Sequence, residues 1–276
     1  MDVSFDVVVS CQNKPYMAWQ AQIFSFSAIK VLKKRPVVIV HQGPEKALLP
    51  EFQMLRQKGC PVIEAPSFVR HPTGLYFPRN ELGSLLVAAS ITNWATEHIL
   101  FCESDMLFAN VPHYQAGLWG EYYDYMHYHE DRIKAVAQKF GVEHLIESLN
   151  GRSKIGVPYL IPVQYLGLIA SRWIEVMDSF SSVQWIDIMY AFGLSLAIDG
   201  LEPKTTHMID TNLRPNQPLS GEIIHYCYWD SVWDKRHFLS RSPFDIPDHE
   251  LPTAEAGTIM AEMMNQLVEA KQFFRA

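Results

Sequence analysis

Through the first hundred residues, short apolar runs rich in β-branched residues alternate with stretches of helical spacing. Asp6-Val-Val-Val-Ser10 and Pro36-Val-Val-Ile-Val-His41 are near-continuous apolar runs, which predicts strands buried on both faces, and Pro61-Val-Ile-Glu64 and Ile99-Leu-Phe101 continue the series. Between them, Ile23, Phe26, Ile29 and Val31 recur near helical spacing within Ala18 to Lys33. A second helix is expected from about Glu45 to Lys58, stopped by Gly59, and a third from Leu82 to Thr96. A βαβα series of this kind predicts an α/β fold with a mostly parallel twisted sheet covered by helices.

Past Phe108 the pattern changes. An aromatic, His-rich stretch (Tyr122-Tyr-Asp-Tyr-Met-His-Tyr-His129) precedes an expected helix from Asp131 to Leu149. Val157-Pro-Tyr-Leu-Ile161 reads as a strand feeding a helix through about Phe180, and Trp185 to Asp199 as a strongly apolar helix. Arg214-Pro-Asn-Gln-Pro218 is loop-like and Glu222-Ile-Ile-His-Tyr226 a short strand. From Thr253 to Phe274 an amphipathic helix is expected, with Ile259, Met263, Leu267 and Phe274 inward. No Gly/Ser-rich linker or internal repeat divides the chain, so a single compact domain over residues 1–276 is expected.

Composition narrows the function classes. With 276 residues, 48% hydrophobic and 19% charged, the chain has material for an ample core. A net charge of −7 and no basic run beyond Lys33-Lys34-Arg35 argue against a broad electrostatic grip on nucleic acid, while leaving room for a local phosphate pocket. No apolar stretch approaches the roughly 20 residues needed to span a bilayer, and the N-terminus lacks a basic segment followed by an apolar one, so a soluble, cytoplasmic protein is expected. Cys11, Cys60, Cys102 and Cys227 have no CxxC spacing and read as free thiols in or near the core.

The candidate chemistry centres on Ile99-Leu-Phe-Cys-Glu-Ser-Asp-Met-Leu-Phe108, where two carboxylates interrupt an apolar run at the end of a predicted strand. Open α/β sheets place ligands at such strand ends. In extended backbone Glu103 and Asp105 share a face and can hold one hard cation, Mg²⁺ or Mn²⁺, while Ser104 points away. Such a cation can bridge the carboxylates to the diphosphate of a sugar nucleotide, as a metal-dependent glycosyltransferase requires. A turn or helix cap is the competing reading of Glu-Ser-Asp. His225, at the end of a second predicted strand, offers a third ligand; alone it would read as a hydrogen-bonded core histidine.

Five segments carry a resemblance along nearly the whole chain: Pro15-Tyr-Met-Ala-Trp-Gln20, Ile99-Leu-Phe-Cys-Glu-Ser-Asp105, Trp185-Ile-Asp-Ile-Met-Tyr190, Ile223-Ile-His-Tyr-Cys-Tyr228 and Trp233-Asp-Lys-Arg236. In this order and spacing the sequence resembles the peptidyl hydroxyproline O-arabinosyltransferases and, more loosely, the peptidyl-serine galactosyltransferases. The resemblance implies a GT-A-type fold and retaining transfer of a sugar, arabinofuranose favoured, from a UDP-sugar to a hydroxyl acceptor. It implies Mn²⁺ or Mg²⁺ on Glu103, Asp105 and His225, with residues 1–110 holding the nucleotide-sugar and residues 111–276, including the C-terminal helix, the acceptor. With no evident enzymatic nucleophile, attack on the same face as the departing phosphate, assisted by a phosphate oxygen, is the implied route.

The same resemblance suggests further roles. Arg79 matches a basic residue beside the acidic motif and the donor; an exposed helix-start arginine is the alternative. Cys11, Gln12 and Asn13 follow the first strand, where the nucleobase would be held, and Ser104 lies within the donor motif. Trp19 and Gln20 match a Trp-Gln pair, against which stands simple core packing for Trp19. Lys235 and Arg236 would reach the diphosphate, or form an exposed surface pair. Asp187 and Gln164 are the candidate acceptor-side catalytic residues, although the family has Trp-x-x-Glu-Met-Tyr where this chain has Ile188, and a Lys-Asp-Asp-like segment where it has Pro162-Val-Gln-Tyr165. For Asp187 a helix-start carboxylate is the alternative. Only Tyr228 to Val232 separate the His-Tyr and Trp-Asp-Lys-Arg motifs, shorter than in the family, and an N-terminal membrane anchor of the family's kind is not expected. The acceptor classes left open are a peptide, a glycan, a small metabolite and a hydroxymethylated nucleobase. The rival classes are a catalytically silent sugar-nucleotide-binding protein and a metal-dependent nucleotide-sugar hydrolase.

Overall fold

The computed structural model describes residues 2–43, 47–226 and 235–276. Along the chain the elements are β1 (Asp6–Gln12), α1 (Pro15–Ser27), β2 (Val37–His41), α2 (Pro50–Gln57), β3 (Val62–Ala65), β4 (Arg70–His71), β5 (Gly74–Leu75), α3 (Asn80–Ser90), β6 (His98–Glu103), β7 (Met106–Phe108) and β8 (Trp119–Tyr122). They continue with α4 (Asp131–Lys139), α5 (Ile146–Arg152), β9 (Ile155–Pro162), α6 (Leu166–Met177), α7 (Asp187–Ile198), β10 (Lys204–Thr206), β11 (Ile209–Thr211), β12 (Ile223–His225) and α8 (Ile259–Arg275). The expected α/β class holds. Two compact units form, one from Met1–Asp6, Ala65–Phe101 and Tyr114–His207, the other from Val7–Glu64, Cys102–His113 and Met208–Ala276.

In the first unit the strands lie in the order β10-β8-β9-β6. The pairing is mixed: β8 and β10 are parallel, while β9 runs antiparallel to both β8 and β6. Strand β9 is buried along its whole length, as its apolar run predicts. Helices α3, α6 and α7 pack together beside these strands around Tyr159, Trp173 and Phe192. Tyr159 and Phe192 stack at 3.8 Å, and Trp173 meets both rings edge-on at 6.0 and 4.9 Å.

Gly193 on α7 is required by a close approach. A Cβ there would fall 1.9 Å from the Tyr128 hydroxyl, which donates to the Ser153 carbonyl at 2.7 Å. Gly193→Ala is therefore expected to lower stability by about 1–2 kcal/mol, because displacing fully buried Tyr128 outweighs the gain in helix propensity. Urea unfolding at unchanged m-value checks this.

In the second unit β1, β2 and β3 are neighbours in that order, with β1 and β2 parallel from Val8↔Val37 to Gln12↔His41. A separate small sheet has the order β11-β12-β7. Helix α1 packs on α2, α8 and β7. Because it is covered on several sides, Ala18 through Ser27 are all buried and no single apolar stripe stands out. The core joins Trp19, Ile23, Leu107, Ile224, Tyr226, Phe238, Met263 and Leu267. The four inward residues expected on α8 are all buried, and the Thr258 hydroxyl caps its start by accepting from Ala261 N at 3.3 Å.

Several boundaries differ from the sequence expectation, each for a local reason. The helix expected over residues 131–149 breaks at Gly141, which takes a left-handed φ of 73°. Helix α3 stops at Ser90 rather than Thr96, where Asp6 Oδ2 instead accepts from Ala95 N, Thr96 N and the Thr96 hydroxyl. Helix α2 starts at Pro50, since Leu49 before it is held extended; the expected start at Glu45 lies outside the described residues. Cys11, Cys60 and Cys102 are buried and outside any disulfide, as expected, and Cys227 lies outside the described residues. Among the described residues no helix is long and apolar enough to cross a membrane.

Candidate metal and donor site

The dicarboxylate is placed by a strand and a turn. Buried β6 ends at Glu103, Ser104 and Asp105 turn the chain, and β7 begins at Met106. Glu103 and Asp105 thus converge across a turn rather than along an extended strand. His225 joins them through register: β12 runs antiparallel to β7 with His225 opposite Met106, and Tyr226 N donates to the Asp105 carbonyl at 3.0 Å. His225 Nε2 lies 3.7 Å from Glu103 Oε2 and 3.5 Å from Asp105 Oδ2. One ligand atom from each of the three residues falls within 4.8 Å of the others.

The electrostatics fit a cation. Asp105 is buried, and burial by itself would raise its pKa; the Lys235 ammonium and the His225 ring overcome that and hold the carboxyl well below the usual range. Lys235 Nζ donates to Asp105 Oδ2, whereas Asp105 Oδ1 is buried with no hydrogen-bond partner among the described residues. An orphaned carboxylate oxygen inside the protein is costly unless a ligand meets it. Two carboxylates and an imidazole suit Mn²⁺ or Mg²⁺.

A buried scaffold fixes the turn. The Ser104 hydroxyl donates to Gln20 Oε1 at 3.0 Å, so it points into the protein, and the Tyr226 hydroxyl donates to the Ser104 carbonyl at 3.2 Å. Trp19 stacks on Tyr226 at 5.9 Å and donates from Nε1 to the Phe238 carbonyl at 3.2 Å. Gln20 is itself buried, and its Nε2 has no acceptor among the described residues. Tyr226 and the Lys235–Asp105 pair were not singled out from the sequence as supports; nothing local marks them.

The other candidates of the second unit lie at the end of β1. Gln12 N donates to Met17 Sδ at 3.2 Å. Asn13 clamps the following loop, accepting from Leu49 N at 3.1 Å and donating to the Ala47 carbonyl at 2.7 Å. The Cys11 thiol is pushed up by burial and by Asp105, which keeps it neutral and unsuited to nucleophilic work. Lys235 is buried and Arg236 exposed; Trp233 and Asp234 of the same motif lie outside the described residues.

Arg79, Gln164 and Asp187 belong to the first unit. Arg79 is buried, donating from Nε and Nη2 to Asp178 at 2.8–3.0 Å and from Nη1 to the Phe68 carbonyl at 3.1 Å, with its guanidinium 4.4 Å from the Phe68 ring. Asp187 is fully buried at the start of α7; Oδ1 pairs with Arg132 Nη1 and Oδ2 accepts from Gln184 N at 2.7 Å. Burial raises the Asp187 pKa, opposed by the Gln184 N–H and Arg132. Arg132 carries no sequence signal for this partnership. Gln164 is exposed on the turn that joins β9 to α6.

No protein-family model and no curated protein matches the chain. Among solved structures it is similar to the galactosyltransferase LgtC in complex with donor and acceptor sugar analogs, at 13% identity and a TM-score of 0.55, covering 98% of this chain and 96% of that one. It is likewise similar to an active-site mutant of LgtC, at 14% identity and a TM-score of 0.54, covering 96% of each chain. Likeness at this level of identity speaks for architecture, and it agrees with the mixed sheet and the helices packed beside it: the chain has the GT-A glycosyltransferase fold.

Proposed function

We propose that this protein is a retaining, metal-dependent glycosyltransferase that moves a sugar, arabinofuranose favoured, from a UDP-sugar to a hydroxyl acceptor. The observation that carries the reading is the convergence of Glu103, Asp105 and His225 beside a buried, unsatisfied Asp105 oxygen. The fold shared with a galactosyltransferase bound to donor and acceptor sugar analogs supports a sugar nucleotide as the ligand. Glu103, Asp105 and His225 would hold Mn²⁺ or Mg²⁺, which when bound neutralises a departing diphosphate and acts as a Lewis acid. Lys235 adds positive charge to the same site and would steady the diphosphate as it leaves. The buried Ser104–Gln20–Tyr226 scaffold holds the carboxylates in register, the preorganisation that transition-state stabilisation requires. Exposed Gln164 remains the acceptor-side candidate, whereas the pairings of Arg79 and Asp187 support structural roles for them.

Calorimetry of UDP with and without Mn²⁺ tests the reading. UDP binding is expected to need the metal and to be lost in Glu103→Ala and Asp105→Ala; metal-independent binding unaffected by both changes would sink it. Acceptor screening with product mass spectrometry then separates peptide, glycan, metabolite and hydroxymethylated nucleobase. UDP binding with neither transfer nor donor hydrolysis would identify a silent sugar-nucleotide-binding protein, and complete donor turnover without acceptor a hydrolase.

A further inference from the structure

The metal site already contains a cation of its own. Lys235 Nζ is bonded to Asp105 Oδ2, the same oxygen that lies 3.5 Å from His225 Nε2. Both side chains are withdrawn from water, Lys235 at 6% and Asp105 at 11% exposure. An ammonium held by a carboxylate in poorly hydrated surroundings is retained by a strong mutual attraction, because either charge left alone there is penalised. An ammonium and a divalent ion drawn to one carboxylate oxygen repel each other through the same weakly screened medium. They cannot both be held there at full strength.

The turn that follows Lys235 is anchored in the core. Lys235 opens a helical turn, Lys235–Phe238, whose Phe238 sits in the core and accepts from Trp19 Nε1. A four-carbon stem on a fixed backbone can carry its charge from one anion to another nearby without disturbing the fold. A nucleoside diphosphate arriving with the metal supplies such an anion.

We propose that Lys235 is the resident counter-ion of Asp105 in the metal-free protein, that it competes with the divalent cation for that carboxylate, and that it gives way when a diphosphate offers it another partner. The inference rests on the metal and donor site proposed above and adds a regulation to it. Metal alone binds weakly, nucleotide alone binds weakly, and each strengthens the other.

The test is a calorimetric Mn²⁺ titration, with and without UDP, of the wild type, Lys235→Met and Lys235→Gln. Without UDP, both variants are expected to bind Mn²⁺ tighter than the wild type by about tenfold, since the competing charge is gone and Asp105 is left seeking a cation. The factor by which UDP improves Mn²⁺ binding is expected to shrink in the variants by a similar amount. Thermal melting gives a second readout: metal-free variants melt below the wild type, and saturating Mn²⁺ raises their Tm by more than it raises the wild type's. Lys235→Gln keeps a neutral donor toward Asp105 and carries the same comparison where the Met change lowers stability too far. Mn²⁺ affinity in the variants equal to or below the wild type's overturns the competition. A wild type that binds no Mn²⁺ overturns the metal-site reading itself, so the two failures are distinct.

Discussion

Asp105→Asn is expected to reduce Mn²⁺ affinity and sugar transfer by at least about a hundredfold and also to destabilise the fold, whereas Glu103→Gln is expected to do only the first. The difference lies in burial and partners. Asp105 is the innermost of the three candidate ligands, with Lys235 bonded to one oxygen and nothing among the described residues satisfying the other. Neutralising it breaks the buried Lys235–Asp105 ion pair, which costs about 3 kcal/mol. The Glu103 side chain is 25% exposed, so its loss is softened by water. Parallel Mn²⁺ titrations and urea unfolding of the two variants check this. Equal stability losses would show that the Lys235–Asp105 pair does not anchor the turn, and unchanged Mn²⁺ affinity in both would remove the metal site.

Asp187→Ala is expected to unfold the protein more easily without removing a reacting group. The Asp187 carboxylate is inside the first unit with both oxygens engaged, one by Arg132 and one by Gln184 N. Removing it leaves Arg132 with Glu130, to which its Nε donates at 2.7 Å, and strips the Gln184 N–H that precedes α7 of its acceptor. Breaking a buried pair in this way costs about 3–5 kcal/mol, and the lower end applies because the Arg132 side chain is 18% exposed and can regain some hydration. The urea midpoint should fall while transfer per folded molecule, measured well below the transition, stays close to that of the wild type. Intact stability with transfer lost by orders of magnitude would instead make Asp187 a catalytic group.

Legibility in the sequence followed the length and continuity of each signal. β1, β2, β3 and the first half of β6 were readable because runs such as Val7-Val-Val9 and Val37-Val-Ile-Val40 are long enough to exceed turn signals. The α8 stripe was readable because its apolar residues keep helical spacing over four turns. β7, β8, β10 and β11 were not: none has the adjacent Val or Ile residues that mark equally short β3 and β12, and they exist through their pairing partners. Within the site, Glu103 and Asp105 were marked by two charges in an apolar run, an exception to burial that demands a reason. Arg132 and Lys235 were not assigned their partners, which lie 55 and 130 residues away in the chain.

What the sequence determined alone is therefore local: which runs become buried strands, that Gly59 closes a helix, and that Glu103-Ser-Asp105 at a strand end needs a compensating charge. These follow from side-chain hydrophobicity, backbone preference and the cost of desolvating a carboxylate, all of which act within a few residues. The tertiary structure decided the rest. It chose the antiparallel register that sets His225 opposite Met106 and the fold of the tail that brings Lys235 onto Asp105. It also withdrew Asp187 and Arg79 into ion pairs of their own unit. Those outcomes depend on which distant surfaces meet, and electrostatic partnership is set by distance and burial in space, not by spacing along the chain.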